Sequence, residues 1–501
     1  MLCACGTGGN IGGMTTGGQS GTSASGSASG AVFGSGATGD AGTSSGNPSS
    51  SGGAATGGGG SGSTGSGLST GSSSGGGSGS SSGGSGGSTG TGSGSAGGGS
   101  GLAGSGSSGV GNTGGPPLVT QFDTNCLSVP DPDIAASDTL VGMVGQWTAY
   151  FYKKDGTADH QYTWTAAQGS LVSDTHIVYD KPSKRWFLTT IVNLGNNNFG
   201  TQIMVSGDAT ASSWKASVPA KQIGLIDNPQ PTVTSDKVLI VFHGHSAWVV
   251  DKADLYGGNA AVVQPTSTTL PAADNWVAVK YGGDPPSVAY AITLIDQTTL
   301  GWISVDGTNA ANNVTLKVNM ITVPRVDSYP FGQSLFAATA NGATYENGEV
   351  KAMAQNGHIY WAKTTTCGNS LCERLYDVDT ATNTAKTTDF SMANNQMWFG
   401  VPGVDKYENV WMLATASTTR GPLGLALMGV YASGKVYDAT NILMGKAQVG
   451  RGMVRMGDYA SAAQDPTDGS VWLIGSYGAT NPNPLNRENN LGCRAVHVTP
   501  Q

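Results

Sequence analysis

Beyond residue 116 the chain is written in short runs in which apolar and polar positions alternate with a period of two. The runs are rich in Val, Ile, Thr, Tyr and Trp and are separated by clusters of Gly, Asn, Asp and Pro. Period two sends successive side chains to opposite faces of a strand, and the intervening residues are turn formers. No long 3.6-period apolar pattern interrupts them, so the expected fold class is all-β. Arg455 to Gly478 shows the unit most plainly. An acidic-aromatic loop, Asp458-Tyr459, leads into a run of small residues, Ala460 to Ala463. The turn Asp465-Pro466-Thr467-Asp468-Gly469 then precedes a strand carrying Trp472. Pro466 presets the second turn position and Gly469 supplies a positive φ.

Looser copies recur roughly 50–60 residues apart, a spacing that marks a repeat architecture. They are His176–Asp180 with Trp186, Pro231–Phe242, Ser287–Ile292 with Leu300–Ile303, Lys351–Trp361 and Gly403–Leu413. Two further strand-like runs follow each hairpin, such as Thr201–Ser206 and Trp214–Val218 after Trp186. Four antiparallel strands per copy are the arithmetic of a β-propeller blade. The copies count to a single six-bladed propeller, and to seven blades if the region from Trp147 to Trp164 contributes its own. Ala460, Ser461, Ala462 and Ala463 suit an innermost strand; Trp472 suits a second strand packed between blades. The ring is expected to close by pairing the segment near Cys126 with Cys493–Val498.

Composition divides the 501 residues into unlike parts. From Gly6 to Pro116 the chain is almost wholly Gly, Ser, Thr and Ala, with Asp40 its only charge and Phe33 its only aromatic. Such a tract buries too little apolar surface to offset its conformational entropy, so it is expected to be a disordered tether. A Gly-rich chain of about 110 residues has an r.m.s. span of about 55–60 Å. Residues 117–501 form the expected propeller domain. The net charge of −8, with no basic run, argues against nucleic acid. No stretch reaches the roughly 20 apolar residues of a membrane-spanning helix.

Residues 1–5, Met1-Leu2-Cys3-Ala4-Cys5, resemble the tail of a bacterial lipoprotein signal, which is cut before a lipidated cysteine. Cys5 holds the lipidated position, with Leu2 and Ala4 where the motif requires them. The basic start and apolar core that precede such a site are expected upstream of residue 1. Gly6 rather than Asp after the cysteine resembles outer-membrane sorting in a Gram-negative cell. The remaining cysteines read as two disulfides, Cys367–Cys372 within a hairpin and Cys126–Cys493 between the ends of the domain, in an oxidising compartment. Zinc is the competing reading, and the spacing offers no second close pair.

Gly457-Asp458-Tyr459 with Asp465-Pro466 and Trp472, and Tyr179-Asp180 with Arg185-Trp186-Phe187, resemble the sialidase-like propellers of secreted bacterial proteins. Ser206-Gly207-Asp208 to Trp214 resembles an Asp-box, without its Gly and one residue longer. The resemblance implies a fold more than an activity. The early Arg-Ile-Pro motif of sialidases is absent, and Tyr345-Glu346 would face opposite ways on a strand. No catalytic set is assigned. His243-Gly244-His245 lacks a third metal ligand, and Asp377 to Asn383 lacks the central Gly and closing Glu of a calcium loop. No metal or other cofactor is assigned. Acids precede several copies: Asp174, Asp227, Asp284, Glu346 or Glu349, and Asp458 beside Tyr459; Trp398 takes that place in the fifth. They are expected either to converge on one channel mouth as an acidic, aromatic-rimmed ligand pocket or to cap turns. The resulting expectation is an exported, lipid-anchored monomer that displays a binding or scaffold module for a glycan or protein. A sialidase-like glycoside hydrolase is the alternative.

Overall fold

The computed structural model describes residues 115–124, 132–145, 147–166, 169–171, 174–195, 198–217, 228–242, 246–258, 262–263, 275–326, 349–368, 370–418, 422–446, 459–479 and 491–501. Their strands assemble into seven four-stranded antiparallel units in chain order. The first is Asp133–Ala136, Leu140–Val144, Thr148–Lys153 and Ala158–Thr163. The second is His176–Asp180, Arg185–Gly195, Asn198–Ser206 and Trp214–Ser217; the third is Gln230–Val233, Lys237–Val241, Ala247–Asp251 and Val262–Val263. Val277–Tyr281, Ala289–Asp296, Thr299–Asp306 and Thr315–Thr322 make the fourth. Ala352–Gln355, His358–Cys367, Ser370–Asp379 and Thr384–Phe390 make the fifth. Asn395–Val404, Val410–Thr418, Gly424–Val430 and Val436–Leu443 make the sixth. The seventh combines Tyr459–Gln464, Val471–Gly478 and Leu491–Thr499 with the early strand Leu118–Thr124. One short helix, Lys252–Gly257, follows the third unit's third strand.

The first strand of each unit contacts the first strand of the next, and the seventh contacts the first, so the series closes on itself. The fold is an all-β, propeller-like ring. Innermost strands must be thin because neighbours crowd them. Asp133–Ala136, Gln230–Val233 and Ala352–Gln355 are buried at every position. Large aromatics on the later strands fill the wedges between units: Trp186, Trp248, Trp411 and Trp472 are all fully buried.

The six copies leave out the first unit, whose third and fourth strands lie in the region from Trp147 to Trp164 that the alternative count of seven drew on. Its second strand, Leu140–Val144, carries Gly142 where the second, sixth and seventh units carry Trp186, Trp411 and Trp472. A Cβ there would stand 2.7 Å from the Trp186 ring and 2.9 Å from Phe151, so the neighbouring unit's indole takes the space. The expected copy at Ser287–Ile292 is also shifted. The fourth unit's inner strand is Val277–Tyr281, and Ala289–Asp296 is its second strand.

Closure follows the expected composite pairing. Leu118–Thr124 runs antiparallel to Leu491–Thr499, from Leu118↔Thr499 to Thr124↔Cys493. Phe122 packs on Tyr152 of the first unit and Trp472 of the seventh, with ring centroids 5.2 and 5.9 Å away. Cys367 and Cys372 are disulfide-bonded within the fifth unit's hairpin. Cys493 is also disulfide-bonded, while Cys126 lies outside the described residues.

Candidate functional site

The densest chemistry among the described residues lies on the ring axis, where inner strands of several units bring polar side chains together. The Asp133 carboxylate, fully buried, accepts from the backbone N–H of Ile134 (2.7 Å) and of Ile177 (3.2 Å). Lys280 crosses from the fourth unit to pair with Asp133 Oδ1, and also donates to the Ile134 carbonyl and Ser461 Oγ, each at 2.8 Å. All three ammonium hydrogens are thereby used. His176 lies between Asp133 (Nδ1 to Oδ2, 3.2 Å) and the Asn228 side chain (Nε2, 2.6 Å). Burial alone would raise the Asp133 carboxyl, but Lys280 and His176 outweigh it and hold it well below the usual carboxylate range. Burial, with Lys351 nearby, pushes the His176 imidazole down to about 4 against the opposing pull of Asp133 and Asn228. The ring is therefore neutral at pH 7. Its two nitrogens face acceptors, Asp133 Oδ2 at Nδ1 and Asn228 Oδ1 at Nε2, which is why both oppose the shift.

Main chain closes the axis as well. Glu349–Val350 pairs in parallel with Tyr459–Ala460, and Val279–Tyr281 pairs in parallel with Ala352–Ala354. Among the described residues a funnel of about 60 Å³ opens at the C-terminal ends of the inner strands, lined in part by Tyr179, Lys181, Lys280, Tyr281 and Gln464. That is room for a few waters or one small group. Sequence reasoning missed Asp133, Lys280, His176 and Asn228 as a set. The one signal was a lysine standing alone in the apolar run Val277-Ala278-Val279-Lys280.

The Asp-to-Trp turn seen in the sequence is architectural. Trp472 Nε1 donates to Asp465 Oδ2 and Trp411 Nε1 to Asp405 Oδ2, both at 3.0 Å. Lys154 of the first unit reaches the seventh, with Nζ 2.6 Å from Asp465 Oδ1, and Lys252 of the third reaches Asp180 of the second at 2.7 Å. Ligand atoms of Asp465, Asp468 and His497 lie within 4.8 Å of one another, a spacing that a metal ion could use. Lys154 already supplies a positive charge at Asp465, and Ser470 Oγ links Asp468 to His497. The Asp-box-like turn forms between the second unit's last strands, with Asp208 Oδ1 accepting from the Thr210 N–H at 2.9 Å. Asp379 accepts from the Ala381 and Thr382 N–H groups, making the suspected calcium loop a capped turn.

Of the residues expected at one mouth, three are described with their side chains: Asp174 and Asp284 fall at opposite ends of the ring, and Trp398 is buried. Asp174 precedes the second unit's inner strand; it is buried, with φ 55°, and accepts from the Asn228 N–H. Asp284 follows its inner strand, because that strand is Val277–Tyr281, and so lies at the opposite end of the ring, beside Lys181 at 3.1 Å. Trp398 is 2% exposed within the core and presents no rim surface. Tyr459 begins the seventh inner strand, with its side chain outside the described set. Cys5, Asp227, His243 to His245, Tyr345, Glu346 and Asp458 also lie outside the described residues.

No protein-family model matches the chain, and no curated protein matches it. Among solved structures it is similar to a fungal alcohol oxidase in complex with copper, with 11% identity, a TM-score of 0.44, and 76% of each chain covered. It is also similar to the phage phi92 endosialidase, with 9% identity, a TM-score of 0.41, and 77% of this chain and 69% of that one covered. The WD40 domain of SCAP from fission yeast overlaps with 9% identity, a TM-score of 0.32, and 72% of this chain and 82% of that one covered. Overlaps this loose carry no argument, and the ring rests on its own strand order.

Proposed function

We propose that the protein is an exported, lipid-anchored cell-surface protein whose Gly/Ser/Thr-rich tether holds the propeller-like domain out as a binding or scaffold module for a glycan or a protein. The observation that carries this reading is the closed axis. The buried ionic groups there hold units to one another, and Lys280 is saturated by three acceptors. Polar groups satisfied this completely serve architecture, and recognition is then left to the loops and rims that a rigid ring presents.

The test is direct. The full-length protein is applied to a glycan panel, with retention and released product both measured, and to cells as a source of surface partners. Retention without turnover is expected. Product release would favour a glycoside hydrolase, whose carboxyl pair stands about 5–5.5 Å apart if retaining and about 6.5–9.5 Å if inverting. No retention by any glycan or cell-surface protein would end the binding proposal. Mass analysis of the mature N-terminus is expected to find lipid on Cys5; an unmodified Cys5 refutes the anchor.

A further inference from the structure

A second buried ionisable group lies away from the axis, in the seam between the fifth and sixth units. Glu373, on strand Ser370–Asp379, is fully buried. Its Oε1 accepts from Thr364 Oγ1 at 2.8 Å, whereas Oε2 has no hydrogen-bond partner among the described residues. The sixth inner strand, Asn395–Val404, packs directly on this hairpin and is irregular where it does so. Between Trp398 and Val401 the register slips, leaving Phe399 and Gly400 opposite a single residue. Phe399 holds φ 59°, a conformation that bulky residues rarely adopt without outside support.

The support comes from the carboxyl. The Phe399 N–H donates to Thr364 Oγ1 at 3.3 Å, and that hydroxyl in turn donates to Glu373. Gly400 lies so close that a Cβ there would be 2.7 Å from Oε2. The bulge therefore rests on the carboxyl at both of its residues.

We propose that Glu373 is a proton-operated latch between the fifth and sixth units: the neutral acid seats the bulge, and the carboxylate loosens it. A neutral carboxyl tolerates an apolar, hydrogen-bond-poor pocket, but a carboxylate with one bare oxygen there is costly. Few charges oppose this. Strand His358–Cys367 contributes Lys363, which favours the charged form. Strand Asn395–Val404 holds no titratable residue, and Phe390 stands opposite Glu373 on strand Thr384–Phe390. Burial pushes the acid up to about 7 against the opposing pull of Thr364, the nearby Gly400 backbone and Lys363, so the latch works near neutrality.

Hydrogen exchange of the full-length protein, resolved to peptides and corrected for intrinsic rates, tests this between pH 5.5 and 8.5. Protection over 395–404 should fall by about tenfold or more as pH rises through the midpoint, while the third unit stays level. In Glu373→Gln that change should vanish. An unchanging wild type, or the same change in Glu373→Gln, overturns the proposal. If Glu373→Gln does not fold, Thr364→Val serves instead. It removes the Thr364 hydroxyl, a donor that favours the charged form, and should move the midpoint to higher pH; an unmoved midpoint also overturns the proposal.

Discussion

Replacing Asp133 by Asn probes the axis most sharply. Each carboxylate oxygen serves two donors: Lys280 and the Ile134 N–H at Oδ1, His176 and the Ile177 N–H at Oδ2. Either orientation of an amide therefore aims its NH2 at donors. The change also strands the Lys280 ammonium, 7% exposed at its side chain, with only the neutral acceptors Ile134 O and Ser461 Oγ. Removing one partner of a buried pair costs about 3–5 kcal/mol, and the mismatched donors place Asp133→Asn in the upper half of that range. Asp133→Asn/Lys280→Met takes away the stranded charge and should recover about half the loss or more. Urea unfolding of wild type, both single variants and the double variant closes the cycle and gives the coupling energy. A single variant within about 1 kcal/mol of wild type, or a double variant no better than Asp133→Asn, would refute the account.

Two pH effects of opposite sign should nearly cancel. Glu373 is raised from 4.5 to about 7 on folding, so its contribution is full below pH 4.5 and is lost as pH rises to about 7. His176 is lowered from 6.5 to about 4, so its contribution is full above pH 6.5 and is lost as pH falls to about 4. At about 1.4 kcal/mol per pH unit each amounts to about 3 kcal/mol across its window. Wild-type stability from these groups should be nearly level, while Glu373→Gln should gain stability as pH rises from 4 to 6.5; a level Glu373→Gln profile contradicts this. Trp472→Phe should lower stability by about 1–3 kcal/mol by leaving buried Asp465 Oδ2 without its indole donor. Thermal melts can check it against Trp214→Phe, whose half-buried indole N–H donates to the Ala211 carbonyl rather than to a carboxylate. Gly403→Ala would bring a Cβ to 2.3 Å from Val471 Cγ1 in the packed seam between the sixth and seventh units, and should cost about 1–3 kcal/mol. An unchanged melt would show that the seam has slack.

The repeat was legible because blade packing imposes it on local sequence. Asp465 with Trp472 and Asp405 with Trp411 repeat one indole-to-carboxylate bond in the seventh and sixth units. The first unit was legible only in its later strands, between Trp147 and Trp164, since Gly142 yields its wedge to Trp186. Asp284 was misplaced because Val277–Tyr281 is an apolar run without turn punctuation, whereas the next strand after Pro285-Pro286 looked like the start of a copy. Of the axial set only Lys280, alone in an apolar run, left a signal in the sequence. Asp133, His176, Asn228 and Lys280 come from four units, and only ring closure makes them neighbours. Glu373 lay hidden in an ordinary alternating strand, because its pocket is made by a bulge in another unit.

The pairing of Leu118–Thr124 with Leu491–Thr499 also sets an order in time. The first strand of the ring to be synthesised is the last to find its partner, since residues up to 499 must exist before the ladder is complete. Until then the nascent chain carries a bare strand edge with Phe122 on it, and edges of that kind recruit other chains. Any chain stopped before residue 491 keeps that edge permanently. A stop in the stretch just before residue 491 thus leaves the seventh unit short of its outer pairing and with an adhesive lip, rather than yielding a slightly shortened domain.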